Sequence, residues 1–231
     1  MTTLLSVVIP TLDEAPRLPR LLQDLAALST EHEIVIADGG STDGTAELAA
    51  ARGCRVVASP RGRGRQLRAG VAAAKGCWLL ILHADARLSP PAVEEAERAV
   101  GQPEVRHAAW PLRIDGEGWW LRWVERGAAL RWRMLGLAYG DQGLLVRRDL
   151  YEAAGGFPDT AIMEDVILAR RLGQLAPMTR FTHPIVADGR RWRREGAVRG
   201  SLRNLALLLL FVCGMAPDRL ARWYLPEART R

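Results

Sequence analysis

Apolar and polar residues follow two alternating periods along the first hundred positions. Short apolar runs cover residues 4–9, 33–37, 55–58 and 77–82 and predict four strands. A segment with apolar residues at helical spacing follows each of them, as with the leucines of residues 16–28. Strands that are each followed by a helix predict a parallel sheet with helices on its faces.

The second half of the chain has a less regular pattern. Residues 106–114 and 178–186 are each predicted to form one strand, and residues 119–135 and 164–175 to form helices. Residues 196–224 are helical and apolar. We therefore predict one α/β domain over residues 1–194, with halves 1–105 and 106–194, and a C-terminal helical tail over residues 195–231.

Composition and charge narrow the class of protein. Of the 231 residues, 48% are hydrophobic and 25% charged, which is typical of a globular chain and excludes a disordered one. The net charge is +6, and Lys75 is the only lysine, so nearly all of the positive charge is arginine. Such a balance fits phosphate-bearing ligands, an anionic membrane surface or nucleic acid. Arginine-rich codon usage explains it equally well.

Cysteine usage and hydropathy indicate the compartment. Cys54, Cys77 and Cys213 are odd in number and lack disulfide or zinc spacing, which favours a reducing cytoplasm. The N-terminal residues show no basic leader. No apolar stretch approaches the ~20 residues that a spanning helix needs. We expect a cytoplasmic protein, with peripheral attachment to the inner membrane as an option.

Acidic residues follow three of the predicted strands. Glu14 comes shortly after the first strand, Asp38 ends the second, and Asp85 follows the fourth in the run His83-Ala84-Asp85. Ligands bind at the carboxyl ends of strands in open α/β sheets, and a carboxylate there can hold a divalent cation that binds a diphosphate. Each acid can equally cap the helix that follows it.

Three other motifs each permit a functional and a purely structural interpretation. The glycine-containing basic loop of residues 61–70 can bind phosphates or be a solvated surface. The Glu164-Asp165 pair at a helix start can be stabilised by the helix dipole or supply a general base. Arg191-Trp192 can clamp a leaving group or form a surface patch.

Taken together, these motifs resemble those of family 2 glycosyltransferases with the GT-A fold, over residues 4–194. The similar segments are residues 6–14, 37–45, His83-Ala84-Asp85 in place of the Asp-x-Asp metal motif, and Met163-Glu164-Asp165. Residues 82–88 and 140–143 and the Arg-Trp-rich tail resemble a small bacterial subgroup that is sometimes linked to arsenosugar biosynthesis.

The resemblance implies the transfer of a sugar from a nucleoside diphosphate sugar, with inversion and with Mg²⁺ or Mn²⁺ as cofactor. It assigns Asp85 to the metal, Asp165 to the general base and Glu164 to a position beside it. Asp141 and Gln142 would shape the acceptor side. The remaining assignments are to the nucleotide: Pro10, Thr11, Glu14, Asp38, Arg65 and Ala84.

The chain departs from the family pattern at two motifs. His83 stands where the first acid of the metal motif is expected, so it is a weaker ligand candidate than Asp85. The usual Gln-x-x-Arg-Trp is only partly matched by Arg190-Arg191-Trp192, which puts the leaving-group role of Arg191 and Trp192 in question.

Partners and rival functions remain open from sequence. We expect the acceptor to be an unknown small molecule or lipid, and the C-terminal helices to contact the core, a second copy of the chain or a membrane surface. A nucleotidyltransferase is the rival enzyme, although residues 11–14 lack its Gly-rich basic loop. A non-catalytic basic module for membrane or nucleic acid leaves the acids at strand ends unexplained, so we expect no nucleic acid partner.

Overall fold

The computed structural model describes residues 4–190 and 196–224. A seven-stranded sheet has the order β3-β2-β1-β4-β8-β6-β9, and β8 alone runs against the others. Its strands are β1 (Leu5–Thr11), β2 (His32–Asp38), β3 (Arg55–Ala58), β4 (Trp78–Ile81), β6 (His107–Ala109), β8 (Leu144–Arg147) and β9 (Thr179–Arg180). The α/β fold class with a mostly parallel sheet is confirmed.

A second, three-stranded sheet has the order β5-β10-β7. Its strands are β5 (Arg87–Leu88), β7 (Leu112–Ile114) and β10 (Ile185–Ala187). The helices around both sheets are α1 (Leu18–Leu25), α2 (Thr45–Ala51), α3 (Arg63–Ala73), α4 (Pro90–Val100), α5 (Trp119–Leu135), α6 (Arg148–Ala153), α7 (Glu164–Leu175), α8 (Ala197–Val212) and α9 (Pro217–Tyr224). A 3-10 helix covers Gly140–Gln142.

The core lies on both faces of the large sheet. Successive side chains of a strand point to opposite faces. Along β4, Leu80 packs in a cluster with α1 and α4, while Leu79 and Ile81 pack in a second cluster with α3, α6 and α7. Burial on both faces explains why β1 and β4 are almost wholly apolar in sequence. It also leaves the strand ends, and not the faces, as the place for a site.

Two predicted strands are wrong, since each is divided between the two sheets. Residues 106–114 form β6 and β7, and residues 178–186 form β9 and β10. The breaks include Pro111 and Pro184, which have no backbone N–H to donate to a ladder. The fourth strand is likewise followed by β5 before its helix. These changes create the small sheet beside the carboxyl end of β4.

The C-terminal helices α8 and α9 pack against the domain through a small cluster that contains Ile162, Leu207, Leu220 and Ala221. α8 also contacts α5. Within the described ranges, no helix is long and apolar enough to cross a bilayer. The division into a domain ending at residue 194 and a separate tail stays a prediction.

His107 on β6 is a buried ionisable group inside the sheet. Its side chain is fully buried, and neither ring nitrogen has a hydrogen-bond partner among the described residues. Burial, and secondarily the charge of Arg106, lowers the pKa of His107 from 6.5 to about 4. A neutral imidazole is therefore held in the core.

We expect acid to destabilise the fold through His107. Between pH 6.5 and about 4 the unfolded chain binds a proton that the folded chain does not, so stability falls as pH falls. The loss approaches about 3 kcal/mol in the free energy of unfolding. Urea unfolding at pH 7 and pH 4.5 should show a smaller pH dependence for His107→Leu than for wild type. His32→Leu is the control and should keep the wild-type pH dependence of the free energy of unfolding. An unchanged pH dependence in His107→Leu would contradict this prediction.

Candidate active site

The carboxyl ends of β1 and β2 lie side by side at one edge of the sheet. In their parallel register Pro10 pairs with Ala37 and Thr11 with Asp38. The Thr11 hydroxyl donates to Asp38 Oδ1 over 3.0 Å, and both residues are buried. The sequence-predicted nucleotide residues Pro10, Thr11 and Asp38 are therefore brought together.

Asp38 organises the turn that follows β2. Its Oδ2 accepts the N–H groups of Gly40 and Ser41 over 3.0 and 2.9 Å, and its Oδ1 accepts the Ser41 hydroxyl over 2.5 Å. Burial raises the pKa of this carboxyl, but these hydrogen bonds outweigh burial and lower it overall. The carboxylate is ionised, and it holds the backbone at the rim of the crevice in one conformation.

Gln66 on α3 stabilises the same edge of the sheet, and it was not among the site residues predicted from sequence. Its side-chain N–H donates to the carbonyl oxygens of Thr11 and Ala37 over 2.6 and 3.0 Å. A Cβ on Gly39 would lie 2.9 Å from Gln66 Nε2, so any larger residue there would displace the Gln66 amide. Gln66 thus locks the ends of β1 and β2 together.

A cluster of opposite charges lies at the ends of β1, β4 and β10. Arg190 donates to Glu14 Oε1 over 2.5 Å, and its Nη2 is 3.5 Å from Asp85 Oδ2. Its N–H donates to Asp188, and Arg17 pairs with both Glu14 and Asp188. Glu14 and Asp85, predicted for nucleotide and metal, therefore lie around one guanidinium.

Asp85 is chemically suited to a cation. Burial raises its pKa; Arg190 opposes this, and the charges of Glu14 and Asp188 add to it. In the part of the chain that the structure describes, no three His, Cys, Asp or Glu side chains form a metal-binding group. Mg²⁺ is often bound through one or two carboxylates together with substrate phosphates, and a single carboxylate here fits that mode.

Glu164 and Asp165 begin α7 and share one arginine. Arg63 of α3 pairs with the Glu164 carboxylate, and its Nη2 is 3.4 Å from Asp165 Oδ2. Glu164 is only 1% exposed. Burial raises its pKa, which the charge of Arg63 opposes. Neither interpretation of residues 61–70 from sequence, phosphate binding or a solvated surface, included this contact, which links residues 101 positions apart.

Asp165 is the better placed of the two carboxylates for chemistry. Its Oδ2 accepts the Gly140 N–H over 3.0 Å, and its Oδ1 accepts the Val166 N–H over 2.8 Å. Burial raises its pKa, but the charge of Arg63 and these two hydrogen bonds outweigh burial and lower it. Asp165 is thus ionised, and it lines a pocket.

The pocket connects Asp165 with the loop after β4. His83 lines it too, and a Cβ on Gly140 would lie 2.8 Å from His83 Nε2 and 3.4 Å from Asp165 Oδ2. Because one residue separates His83 from Asp85, their Cα atoms are at most about 7 Å apart. Asp165 therefore lies close to the loop that carries Asp85, although Asp85 is not among the residues that line the pocket.

The remaining predicted site residues have varied positions. Arg65 is exposed and pairs with Asp159, whereas Ala84 is buried. Gln142 is fully buried; its side-chain oxygen accepts a hydrogen bond from Arg131, and its side-chain nitrogen donates one to the Trp110 carbonyl. Asp141, the preceding residue, is half-buried. Arg191 and Trp192 lie outside the described residues.

The family model for glycosyl transferase family 2 matches residues 6–167. The chain belongs to this family. The match begins in β1 and ends just after the Glu164-Asp165 pair, so it includes the carboxyl ends of β1, β2 and β4. The resemblance found in the sequence is confirmed.

Curated relatives match more than half of this family 2 chain. An undecaprenyl-phosphate 4-deoxy-4-formamido-L-arabinose transferase of Pseudomonas paraeruginosa is 35% identical over 65% of this chain and 49% of its own length. An uncharacterized glycosyltransferase of Mycobacterium tuberculosis is 35% identical over 56% of this chain and 58% of its own. This family 2 chain spans about half the length of the curated relatives it matches.

Solved structures show that this family 2 chain has the GT-A glycosyltransferase fold. S. aureus TarS in complex with UDP-GlcNAc has a TM-score of 0.65 at 18% identity, over 80% of this chain and 58% of that one. A mannosyltransferase of Pyrobaculum calidifontis in complex with GDP-Man and Mn²⁺ has a TM-score of 0.60 at 22% identity, over 80% and 56%. At this level of identity the likeness concerns the fold alone.

Proposed function

We propose that this chain is an inverting glycosyltransferase. It moves a sugar from a nucleoside diphosphate sugar to an acceptor hydroxyl, with Mg²⁺ or Mn²⁺ on the diphosphate. The proposal rests above all on the ionised carboxylate of Asp165 in a pocket beside the loop that carries Asp85. In this proposal a proton acceptor and a cation ligand lie close to the same loop.

Asp165 is proposed as the general base. Inversion requires the acceptor oxygen to attack from the face opposite the leaving group, and a carboxylate beside that oxygen accepts its proton. The lowered pKa keeps Asp165 ionised and ready. Glu164, buried against Arg63, holds the guanidinium that orients Asp165. Arg63 is therefore proposed as a positioning residue.

The donor is proposed to lie at the ends of β1 and β2. Pro10, Thr11 and Asp38 shape that edge, and Glu14 closes it near Asp85. Arg65 and Ala84 are proposed to contribute to the same nucleotide surface. The complexes of TarS with UDP-GlcNAc and of the mannosyltransferase with GDP-Man support a nucleoside diphosphate sugar as donor.

Asp85 is proposed to hold the metal, since its carboxylate already faces the cationic group of Arg190. The ion, when bound, offsets the negative charge that develops on the departing diphosphate. The Mn²⁺ in the mannosyltransferase complex supports this choice. His83 lines the pocket beside Asp165, so the weaker metal role expected of it gains no support from its position.

The acceptor is proposed to bind in the pocket at Asp165. Most of that pocket is apolar, with Leu67, Phe157, Leu168 and Met178 in its wall, which suits a hydroxyl on an apolar molecule. The Pseudomonas relative is named for a lipid carrier phosphate, which favours a lipid acceptor over a small polar one. We also propose that the C-terminal helices contact a membrane surface, with contact between two copies of the chain as the alternative.

A thermal-shift screen of UDP- and GDP-sugars, with and without Mn²⁺, tests the proposed function. One nucleoside series should raise Tm by about 5–10 °C at about 100 times its Kd, and only with Mn²⁺. Incubation with acceptor alcohols should then release nucleoside diphosphate. Release of pyrophosphate would favour a nucleotidyltransferase. Salt-sensitive RNA binding without any donor binding would favour a non-catalytic module.

A further inference from the structure

Large apolar side chains are exposed almost entirely on three helices. Eleven large hydrophobic residues are exposed in the described ranges, and ten of them lie on α5, α8 and α9. The single exception is Leu175 on α7. Isolated exposed apolar residues are normal on a protein surface, but a concentration of this kind marks a binding face.

The outward face of α5 is apolar and aromatic. Trp119, Trp123, Leu130 and Met134 are 70%, 62%, 57% and 73% exposed, and their spacing puts them on one side of the helix. The opposite side packs into the protein through Leu121, Ala128 and Trp132, which are about 4% exposed. α5 therefore buries one apolar face and offers a second one to its surroundings.

α8 repeats this arrangement beside α5, with which it is in contact. Leu202, Leu205, Leu209 and Val212 are each more than half exposed and follow one another at intervals of three or four residues. Leu207 is buried on the other side of the helix. On α9, Trp223 is 62% exposed.

Positive charge accompanies these apolar faces. α5 carries four arginines and one acid, and residues 197–224 again carry four arginines and one acid. Arg126 and Arg133 on α5, and Arg219 and Arg222 on α9, are exposed. The guanidinium of Arg126 lies 6.0 Å from the centre of the Trp123 ring. Two copies of such a face would repel each other, whereas anionic lipid head groups would attract it.

We propose that α5 and α8, together with α9, form a docking face for an anionic lipid bilayer. The helices would lie in the plane of the surface, with tryptophan rings at head-group level and arginine side chains reaching to the phosphates. This inference does not depend on the sugar chemistry. It extends the membrane contact expected of the tail to α5, which belongs to the domain itself.

Vesicle flotation of the full chain tests the docking face. We expect wild type to float with vesicles of phosphatidylglycerol and phosphatidylcholine, and much less with pure phosphatidylcholine or at high salt. Trp119→Ser with Trp123→Ser should reduce partitioning at least about tenfold. Leu175→Ser, an exposed apolar residue on α7, is the matched control and should leave partitioning unchanged.

The charge contribution has its own pair of variants. Arg126→Gln with Arg133→Gln should weaken binding to the anionic vesicles by about tenfold or more, while Arg98→Gln on α4 should not. Unchanged thermal unfolding would show that all variants are folded. The proposal is overturned if wild type does not float, if the α5 variants float like wild type, or if Leu175→Ser loses as much binding. It is also overturned if wild type forms a stable dimer that does not bind vesicles and that the tryptophan substitutions dissociate.

Discussion

Replacing Asp165 by asparagine is expected to lower the turnover number by about 100- to 10,000-fold, the usual contribution of a positioned general base. Asparagine has nearly the same shape and can still accept the Gly140 N–H, so the pocket should persist. It cannot accept a proton from the acceptor hydroxyl. Donor affinity should change little because Asp165 is proposed to act on the acceptor and not on the nucleotide.

Steady-state kinetics of Asp165→Asn beside a matched surface variant separates catalysis from folding. Asp149→Asn makes the same change at an exposed ion pair on α6 and should retain full activity. A fall in kcat with an unchanged KM for the donor would support the assignment. Transfer at the wild-type rate by Asp165→Asn would show that another group accepts the proton.

Replacing Asp85 by alanine is expected to weaken Mn²⁺-dependent binding of the nucleoside diphosphate sugar by about 10- to 100-fold or more. Loss of a residue that merely orients a metal ligand has effects of this size, so loss of the ligand itself should reach at least that range. With EDTA in place of Mn²⁺, wild type and variant should bind equally weakly, because the carboxylate then has no cation to hold.

Isothermal calorimetry with a UDP- or GDP-sugar measures both conditions. Asp149→Ala removes an exposed carboxylate that pairs with Arg147 and serves as the control for a change of net charge. Equal affinity of Asp85→Ala and wild type in Mn²⁺ would remove the metal role from this residue. Arg190 should then be considered as the cation that faces the diphosphate, since it already lies beside Asp85 and Glu14.

Local patterns predicted much of the fold. The bounds of α5 and α7 follow from helical periodicity and match the structure, as do those of β3. The segments at residues 106–114 and 178–186 were wrong as single strands because a strand pattern carries no information about which sheet each part joins. Pro111 and Pro184 were the available local signals for those breaks.

The site was less accessible to sequence reasoning than the fold. The family resemblance assigned Thr11 and Asp38 to the same nucleotide, and the parallel register of β1 and β2 brings these two side chains into contact. The pairing of Arg63 with Glu164 and Asp165 was missed, since no local pattern connects residues so distant in the chain. The same applies to Arg190, whose bond to Glu14 depends on the small sheet bringing β10 next to β5.

A crystal structure of Asp165→Asn with Mn²⁺ and a nucleoside diphosphate sugar would test the central claim most directly, since this variant should bind the donor without consuming it. The anomalous signal of manganese should lie at the Asp85 carboxylate and at the diphosphate, with the anomeric carbon facing residue 165 across the pocket. A metal bound elsewhere, or a sugar in a cavity that residue 165 does not reach, would contradict the account.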